Sequence, residues 1–312
     1  MNRHARKSIR GIRLVITDLD NTLYDWYTSF VPAFYAMVDE AVKIIGVDKE
    51  QLLDELKLVH VRYHNSEQPF AILETPSIER RFPGATMLQR KQLLDKAFRT
   101  FSKIRMRNLR LFPGVRETLS QIRATGCVVV GHTEAVVENS LYRLRLLDLI
   151  SALDRLYVPD SRSPGHPDPS RPKIHEEYPG FVNLLPSDHR KPDRTVLEDI
   201  CKQFNIEVNN SLYVGDSMTR DISMAIMAGT RSALAAYGGS CPPDMWKQLV
   251  RVTHWTEEDV KLEERLREEY AGLRADVELS RFSDLLKYFG FESGASEKHP
   301  AAHETNEMAL SS

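Results

Sequence analysis

Residues 14–22 read Leu-Val-Ile-Thr-Asp-Leu-Asp-Asn-Thr. An apolar run of this kind forms a buried strand, and it leads straight into two carboxylates spaced i and i+2. Asp18 and Asp20 therefore point to the same side while the chain stays extended, and draw closer if it turns. Two adjacent acids at the end of a buried strand are costly unless something binds them. They are well suited to a divalent cation, and the carboxyl edge of an open α/β sheet is where such sheets place their ligands. This run commits the chain to a strand whose end is built for metal-assisted chemistry.

The residues that follow change period. Phe30, Phe34, Met37, Val38, Ala41 and Ile45 recur at three and four, giving a helix that Gly46 ends. Asp48 is placed to cap a second helix, with Gln51 three residues on and Leu52, Leu53, Leu56 and Val59 behind it. A turn-rich loop over 65–84 precedes a helix to about Lys103, with Leu93, Leu94, Ala97, Phe98 and Phe101 turned inward. Residues 26–107 thus read as a small all-helical domain set between two parts of a core spanning 1–25 and 108–292. Beyond Phe112-Pro113-Gly114, short apolar runs alternate with amphipathic helices: Cys127–Gly131, Leu156–Val158, Ser211–Gly215 and Ser232–Tyr237. That rhythm gives a doubly wound, Rossmann-like α/β core, a parallel sheet covered on both faces. Residues 160–190, with six prolines, are expected to be irregular, Glu257–Ala275 and Phe282–Phe289 to be helical, and 293–312 to be a disordered tail.

Composition sets outer limits. The chain has 312 residues, 42% hydrophobic and 28% charged, with a formal net charge of −2, so no overall field recruits nucleic acid or an anionic membrane. The basic residues before Leu14 lead into no apolar segment long enough for a signal or a span, and a cytoplasmic location is expected. Cys127, Cys201 and Cys241 lack disulfide or zinc spacing and are expected to be reduced, buried thiols. The basic run Arg99–Arg110 suits a solvated hinge, and His60 with His64 a solvated helix face rather than a second metal site.

Polar groups recur where apolar strands end: Asp18 with Asp20, then Thr133, then Asp216 with Asp221. Lys191, ahead of Pro192, suits a helix start facing the same edge. In a parallel sheet these ends converge. Taken singly, Thr133 equally suits a helix cap, Asp221 an acid in a first helical turn and Lys191 a surface lysine. His132 suits a hydrogen-bonded structural role.

Together they resemble the haloacid dehalogenase (HAD) superfamily, in the form with a helical cap after the first strand. Asp18-Leu19-Asp20-Asn21-Thr22 matches its D-x-D-x-T motif, Thr133 its Ser/Thr strand end and Lys191-Pro192 its lysine. Gly215–Asp221 matches its G-D-x-x-x-D, with one residue more between the acids. The resemblance implies a Mg²⁺-dependent phosphatase acting on a small phosphorylated metabolite. Asp18 would be the nucleophile, forming an aspartyl-phosphate, and Asp20 the acid and then the base. Thr22, Thr133 and Lys191 would contact the phosphoryl group. Asp18, Asp216 and the Asp20 carbonyl would hold Mg²⁺. Asp221 would orient the metal site or pair with Lys191. A dehalogenase is disfavoured because it is expected to lack an acid at position 20. A phosphomutase or other phosphotransferase, and a non-catalytic binding protein, are the alternatives.

Overall fold

The structure, a computed structural model, describes residues 9–294 apart from 69, 161–165, 169, 171–172, 188 and 240. The expected tail lies almost wholly outside the described residues, as does the N-terminal arm before Ile9. The core is a seven-stranded parallel sheet. In chain order its strands are β2 (Leu14–Thr17), β3 (Val128–His132), β4 (Arg155–Pro159), β5 (Val182–Leu185), β6 (Ser211–Gly215), β7 (Arg231–Ala235) and β8 (Val277–Leu279). In space the order is β5-β4-β3-β2-β6-β7-β8, so β2 is central. The chain leaves β2 towards one edge through β3, β4 and β5, then returns through β6 to the opposite side. The reversal makes the carboxyl end of β2 a topological switch point, where such sheets open a crevice. A separate parallel pair joins β1 (Ile9–Ile12) to β9 (Phe289–Phe291).

The strands alternate between two apolar layers. Val15, Val129, Leu212 and Val214 face helices α6 (Val115–Ala124) and α7 (Val137–Leu146). Leu14, Ile16, Val130 and Tyr213 face α8 (Arg194–Gln203) and α9 (Ser223–Ala228). Their near-complete burial explains why these strands read as continuous apolar runs.

The insertion after β2 is helical: α1 (Trp26–Ile45), α2 (Lys49–Tyr63), α3 (Pro76–Arg81), α4 (Met87–Leu93) and α5 (Asp95–Asn108). Gly46 stops α1 in the left-handed conformation, and Asp48 caps α2 by accepting from the Gln51 backbone at 3.1 Å. The expected 65–84 loop contains α3, started by Pro76 at its first position. Leu93, expected to face inward, is 48% exposed, because α4 ends there and the burial passes to Leu94, between the two helices, and to Ala97 of α5.

Other departures cluster in the core's second half. Val182–Leu185, inside the stretch expected to be irregular, is the edge strand paired with β4. It is too short and too exposed to show an apolar pattern. The Phe282–Phe289 segment, expected to be helical, is a single 3-10 turn, a one-turn α12 (Leu285–Tyr288) and then β9. Two helices follow β7: α10 (Pro243–Val252), which the sequence reading did not separate from its loops, and α11 (Glu257–Glu269). Leu249 and Val252 of α10 join the apolar interior of the helical insertion. Cys127 and Cys201 are buried thiols, whereas Cys241 is half-buried. Among the described residues no helix is long and apolar enough to cross a membrane.

The α10–cap junction contains two histidines, His60 buried and His254 half-buried. His60, expected on a solvated face, is buried, and its Nδ1 donates to the Val252 carbonyl at 2.6 Å. His254 Nδ1 sits 2.8 Å from Ser66 Oγ. Burial lowers both imidazoles from the ordinary 6.5 to about 4. Both are therefore neutral in the folded chain, and as pH falls below 6.5 the unfolded chain takes up protons first. Stability is full above that value and falls towards pH 4, by about 3 kcal/mol for His60 alone. Melting temperatures measured across this range should decline with acid, and less steeply in His60→Gln. An equal decline in both would show that His60 is not the group responsible.

Candidate active site

At the carboxyl end of β2 the backbone continues in ladder register as far as Asp18, whose N–H donates to the Val214 carbonyl at 2.8 Å. Past Asp20 the chain turns sharply at Asn21, which takes φ 57, a conformation asparagine tolerates better than most residues. Thr22 is thereby folded back, and its hydroxyl donates to Asp18 Oδ2 at 3.1 Å. Gly238 backs the same turn: a Cβ there would lie 1.6 Å from the Asn21 carbonyl oxygen, so only glycine fits.

From the end of the neighbouring strand β6 comes the second pair of acids. A π-helical turn, Met218–Ile222, follows Asp216. It accommodates the extra residue between the two acids and carries Asp221 back over the end of β6, a common use of π turns at functional sites. A Cβ on Gly215 would meet the Asp221 carboxylate at 2.4 Å, which is why the motif opens with glycine. Asp18, Asp216 and Asp221 offer carboxylate oxygens that all lie within 4.8 Å of one another.

Lys191 fills the middle of this group. Its buried ammonium donates to Asp18 Oδ1 at 2.5 Å and to Asp221 Oδ1 at 2.8 Å. The helix-start expectation is corrected. Asp193 caps α8, and Lys191 reaches the site from the loop before it, ahead of a cis bond to Pro192. Asp221 also accepts from the Tyr213 hydroxyl at 3.2 Å and the Ser217 backbone at 3.0 Å. Thr133 is buried at the end of β3. It does not cap α7; its hydroxyl accepts from the Ala135 backbone at 3.1 Å, in a tight turn before that helix begins. His132 is the hydrogen-bonded structural residue expected, 3.2 Å from the Tyr213 hydroxyl.

Charge explains the electrostatics. Burial, with Asp221 and Asp216 close by, raises the Asp18 carboxyl well above the carboxylate range despite Lys191. Burial and Asp221 together raise Asp216 to about 7. Burial alone would lower Lys191, but Asp18 and Asp221 outweigh it and hold the ammonium firmly protonated. With all three carboxylates ionised, one ammonium leaves two negative charges without compensation, and the raised Asp18 and Asp216 carboxyls are the sign of that excess. One divalent cation would balance it, and the donors are hard carboxylate oxygens of the kind Mg²⁺ takes. The residues present therefore fit a magnesium site.

Asp20 is held differently, by residues the sequence reading missed. Arg143, 1% exposed on α7, donates from one nitrogen to both Asp20 oxygens at 2.8 and 3.1 Å. Its other terminal nitrogen pairs closely with Glu67, from the loop after α2. Burial and Glu67 raise the Asp20 carboxyl, while Arg143 opposes the rise. Periodicity hides Arg143, because α7 buries two faces. The apolar one, Val137, Leu141 and Leu144, was legible; the other carries Asn139, Ser140 and Arg143. Three hydrogen-bonding residues at helical spacing were the available signal.

Asp18, Asp20, Thr133, Lys191, Asp216 and Asp221 all line one cleft of about 480 Å³. Thr22 lies beneath it and touches Asp18 rather than the open space. The outer walls are Trp26 and Tyr27 of α1 and a pair of tryptophans, Trp246 and Trp255, whose rings meet edge to face 5.6 Å apart.

Comparison with known proteins identifies the family. Residues 12–229 match the haloacid dehalogenase-like hydrolase family, and the chain belongs to it. A phosphoglycolate phosphatase of Nitrosospira multiformis is 26% identical over 230 residues, 73% of this chain and 84% of that protein. Among solved structures, the 2-haloacid dehalogenase of Pseudomonas syringae pv. Tomato superposes with a TM-score of 0.53 at 20% identity, over 89% of this chain and 97% of that one. A HAD phosphatase of Thermococcus onnurineus gives 0.49 at 16% identity, over 90% and 100%. The first of these likenesses shows the α/β fold, and the family match makes the chain a hydrolase of that family.

The Arg143 cluster makes a stability prediction. Removing one partner of a buried ionic network costs about 3–5 kcal/mol, because the remaining charges lose compensation. Arg143→Met should lower the urea midpoint correspondingly, and adding Glu67→Gln should recover part of the loss. A change below about 1 kcal/mol would mean that the network contributes little net stability.

Proposed function

We propose that this chain is a Mg²⁺-dependent phosphomonoesterase of the cytoplasm, acting on a small phosphorylated metabolite through an aspartyl-phosphate. The observation that carries the reading is the arrangement of the two acids of the first motif. Asp18 stands within a cluster of three carboxyls served by one ammonium, while Asp20 is set apart from it on its own arginine. The 26% identical phosphoglycolate phosphatase supports the same reaction type.

Asp18 is the nucleophile. Its Oδ1 is held by Lys191 and its Oδ2 by the Thr22 hydroxyl, which fixes the carboxylate plane before substrate arrives. Attack forms an oxygen–phosphorus bond on Asp18 as the bond from phosphorus to the ester oxygen breaks. Asp20, raised by burial and by Glu67, gives that departing oxygen a proton. It then takes one from the water that hydrolyses the acyl phosphate. Arg143 keeps Asp20 in place in both protonation states. Lys191 and the Thr133 hydroxyl face the phosphoryl oxygens and stabilise their charge. Asp18, Asp216 and Asp221, with the Asp20 carbonyl, would hold Mg²⁺. When bound, the cation offsets the repulsion between the carboxylates and the incoming phosphate.

The dehalogenase likeness is one of fold, and an acid at position 20 serves a phosphate ester, whose leaving oxygen needs a proton. Hydrolysis of p-nitrophenyl phosphate and of a panel of natural phosphate esters tests the proposal. Turnover should require Mg²⁺, vanish with EDTA and return when the metal is restored. Asp18→Asn should abolish it. Asp20→Asn should lower kcat by about 10²–10⁴ for esters with poor leaving groups, and by less for p-nitrophenyl phosphate. Turnover independent of both Mg²⁺ and Asp18, or none on any ester, would overturn the assignment.

A further inference from the structure

A second cavity, larger than the catalytic cleft at about 720 Å³, lies between the helical insertion and α7 of the core. Among the described residues the two share no lining residue. Between them stands the ion pair of Arg143 and Glu67, the arginine on Asp20 at one side and the glutamate on the cavity wall at the other. The walls are aromatic: Phe30 and Phe34 of α1, Phe98 and Phe101 of α5, Phe70 and Tyr142. A cavity of this character and size suits a small planar ring system.

One group in the wall is anomalous. Gln68 is 6% exposed and lines the cavity, yet neither its amide nitrogen nor its amide oxygen has a hydrogen-bond partner among the described residues. A buried primary amide with both ends unsatisfied costs several kcal/mol, and such groups are rare in folded chains. A glutamine presents a donor and an acceptor side by side, so its complement is another amide edge: a carboxamide, lactam or imide. Close by, the Arg105 guanidinium stacks 3.8 Å from the Tyr142 ring centre, and its buried Nε also lacks a partner among the described residues. The acids Glu67 and Asp95 are taken up by Arg143 and Arg99, which leaves Lys91, Lys103 and Arg105 facing Glu138. The balance favours an anion.

We propose that this cavity is a second ligand site, separate from the catalytic cleft, for a planar aromatic molecule bearing an amide edge and an acidic group. The amide edge pairs with Gln68 and the acidic group turns towards Arg105. The site does not depend on the phosphatase reading, since neither Gln68 nor Arg105 takes part in that chemistry.

Two probes of similar size and solubility test it on the full chain by titration calorimetry: 4-carbamoylbenzoate, and 4-isopropylbenzoate, which lacks the amide. The carbamoyl probe should bind saturably, at least roughly tenfold tighter than its isostere. Gln68→Leu should erase that preference while leaving the circular dichroism spectrum unchanged. Saturating inorganic phosphate with Mg²⁺ should not displace the probe. Equal affinity for the two probes, no binding of either, or displacement by phosphate would each overturn the proposal. So would a Gln68→Leu variant that folds and keeps the preference. The wild-type comparison decides alone if the variant does not fold.

Discussion

The ammonium of Lys191 is the interaction on which the site depends. Three carboxylates converge at the ends of two neighbouring strands, and in a buried environment they would repel one another strongly. One lysine, reaching in from the loop before α8, bridges Asp18 and Asp221 and makes that convergence tolerable. It does so incompletely, and the shortfall matters. A neutral cluster would have no electrostatic reason to take a divalent cation, whereas a cluster with no lysine would be hard to fold. The protein sits between these limits. Part of its strain is relieved internally and part is left for a ligand to relieve.

The sheet makes such an arrangement possible at modest cost. Every strand near the site is parallel, so polar residues at the ends of β2, β3 and β6 meet at one edge although they are separated by up to two hundred residues of sequence. The apolar residues behind them, Val15, Ile16, Val130 and Val214, are fully buried and hold the strands in register. The acids are thus carried on the most rigid part of the molecule, as preorganised charge stabilisation requires.

This placement also explains what was legible in the sequence. Residues at strand ends sit next to continuous apolar runs, and Asp18, Asp20, Thr133 and Asp216 were all visible on that basis. Lys191 was found as a residue but not as a geometry, because the turn chemistry of Asp193 moves the helix start beyond it. The helices of the insertion were readable from their period and caps, α1 and α2 almost to the residue. Short edge elements were not. Strand β5 and strand β8 have four and three residues, too few for alternation to register, and tertiary pairing alone decides them. Arg143, Glu67 and Gln68 belong to a third kind. They face other elements, not a common apolar layer, and only the packing of α7 against the insertion reveals what each one meets.

The helical insertion is joined to the core covalently at both its ends, near Asp25 and Leu109. Helix α10, which lies far along the chain, buries Leu249 and Val252 in the insertion's interior, and His60 is bonded to the Val252 backbone. Mechanically the insertion is a span resting on two piers, rather than a door on one hinge. Widening the catalytic cleft by rotation about the covalent linkers alone would pull the far pier apart. Any wider opening of the cleft would need twisting of the span, or α10 travelling with it as a single piece. The tryptophans at the cleft mouth, Trp246 on α10 and Trp255 just beyond it, would move with that piece, so the aperture and the grip on α1 change together.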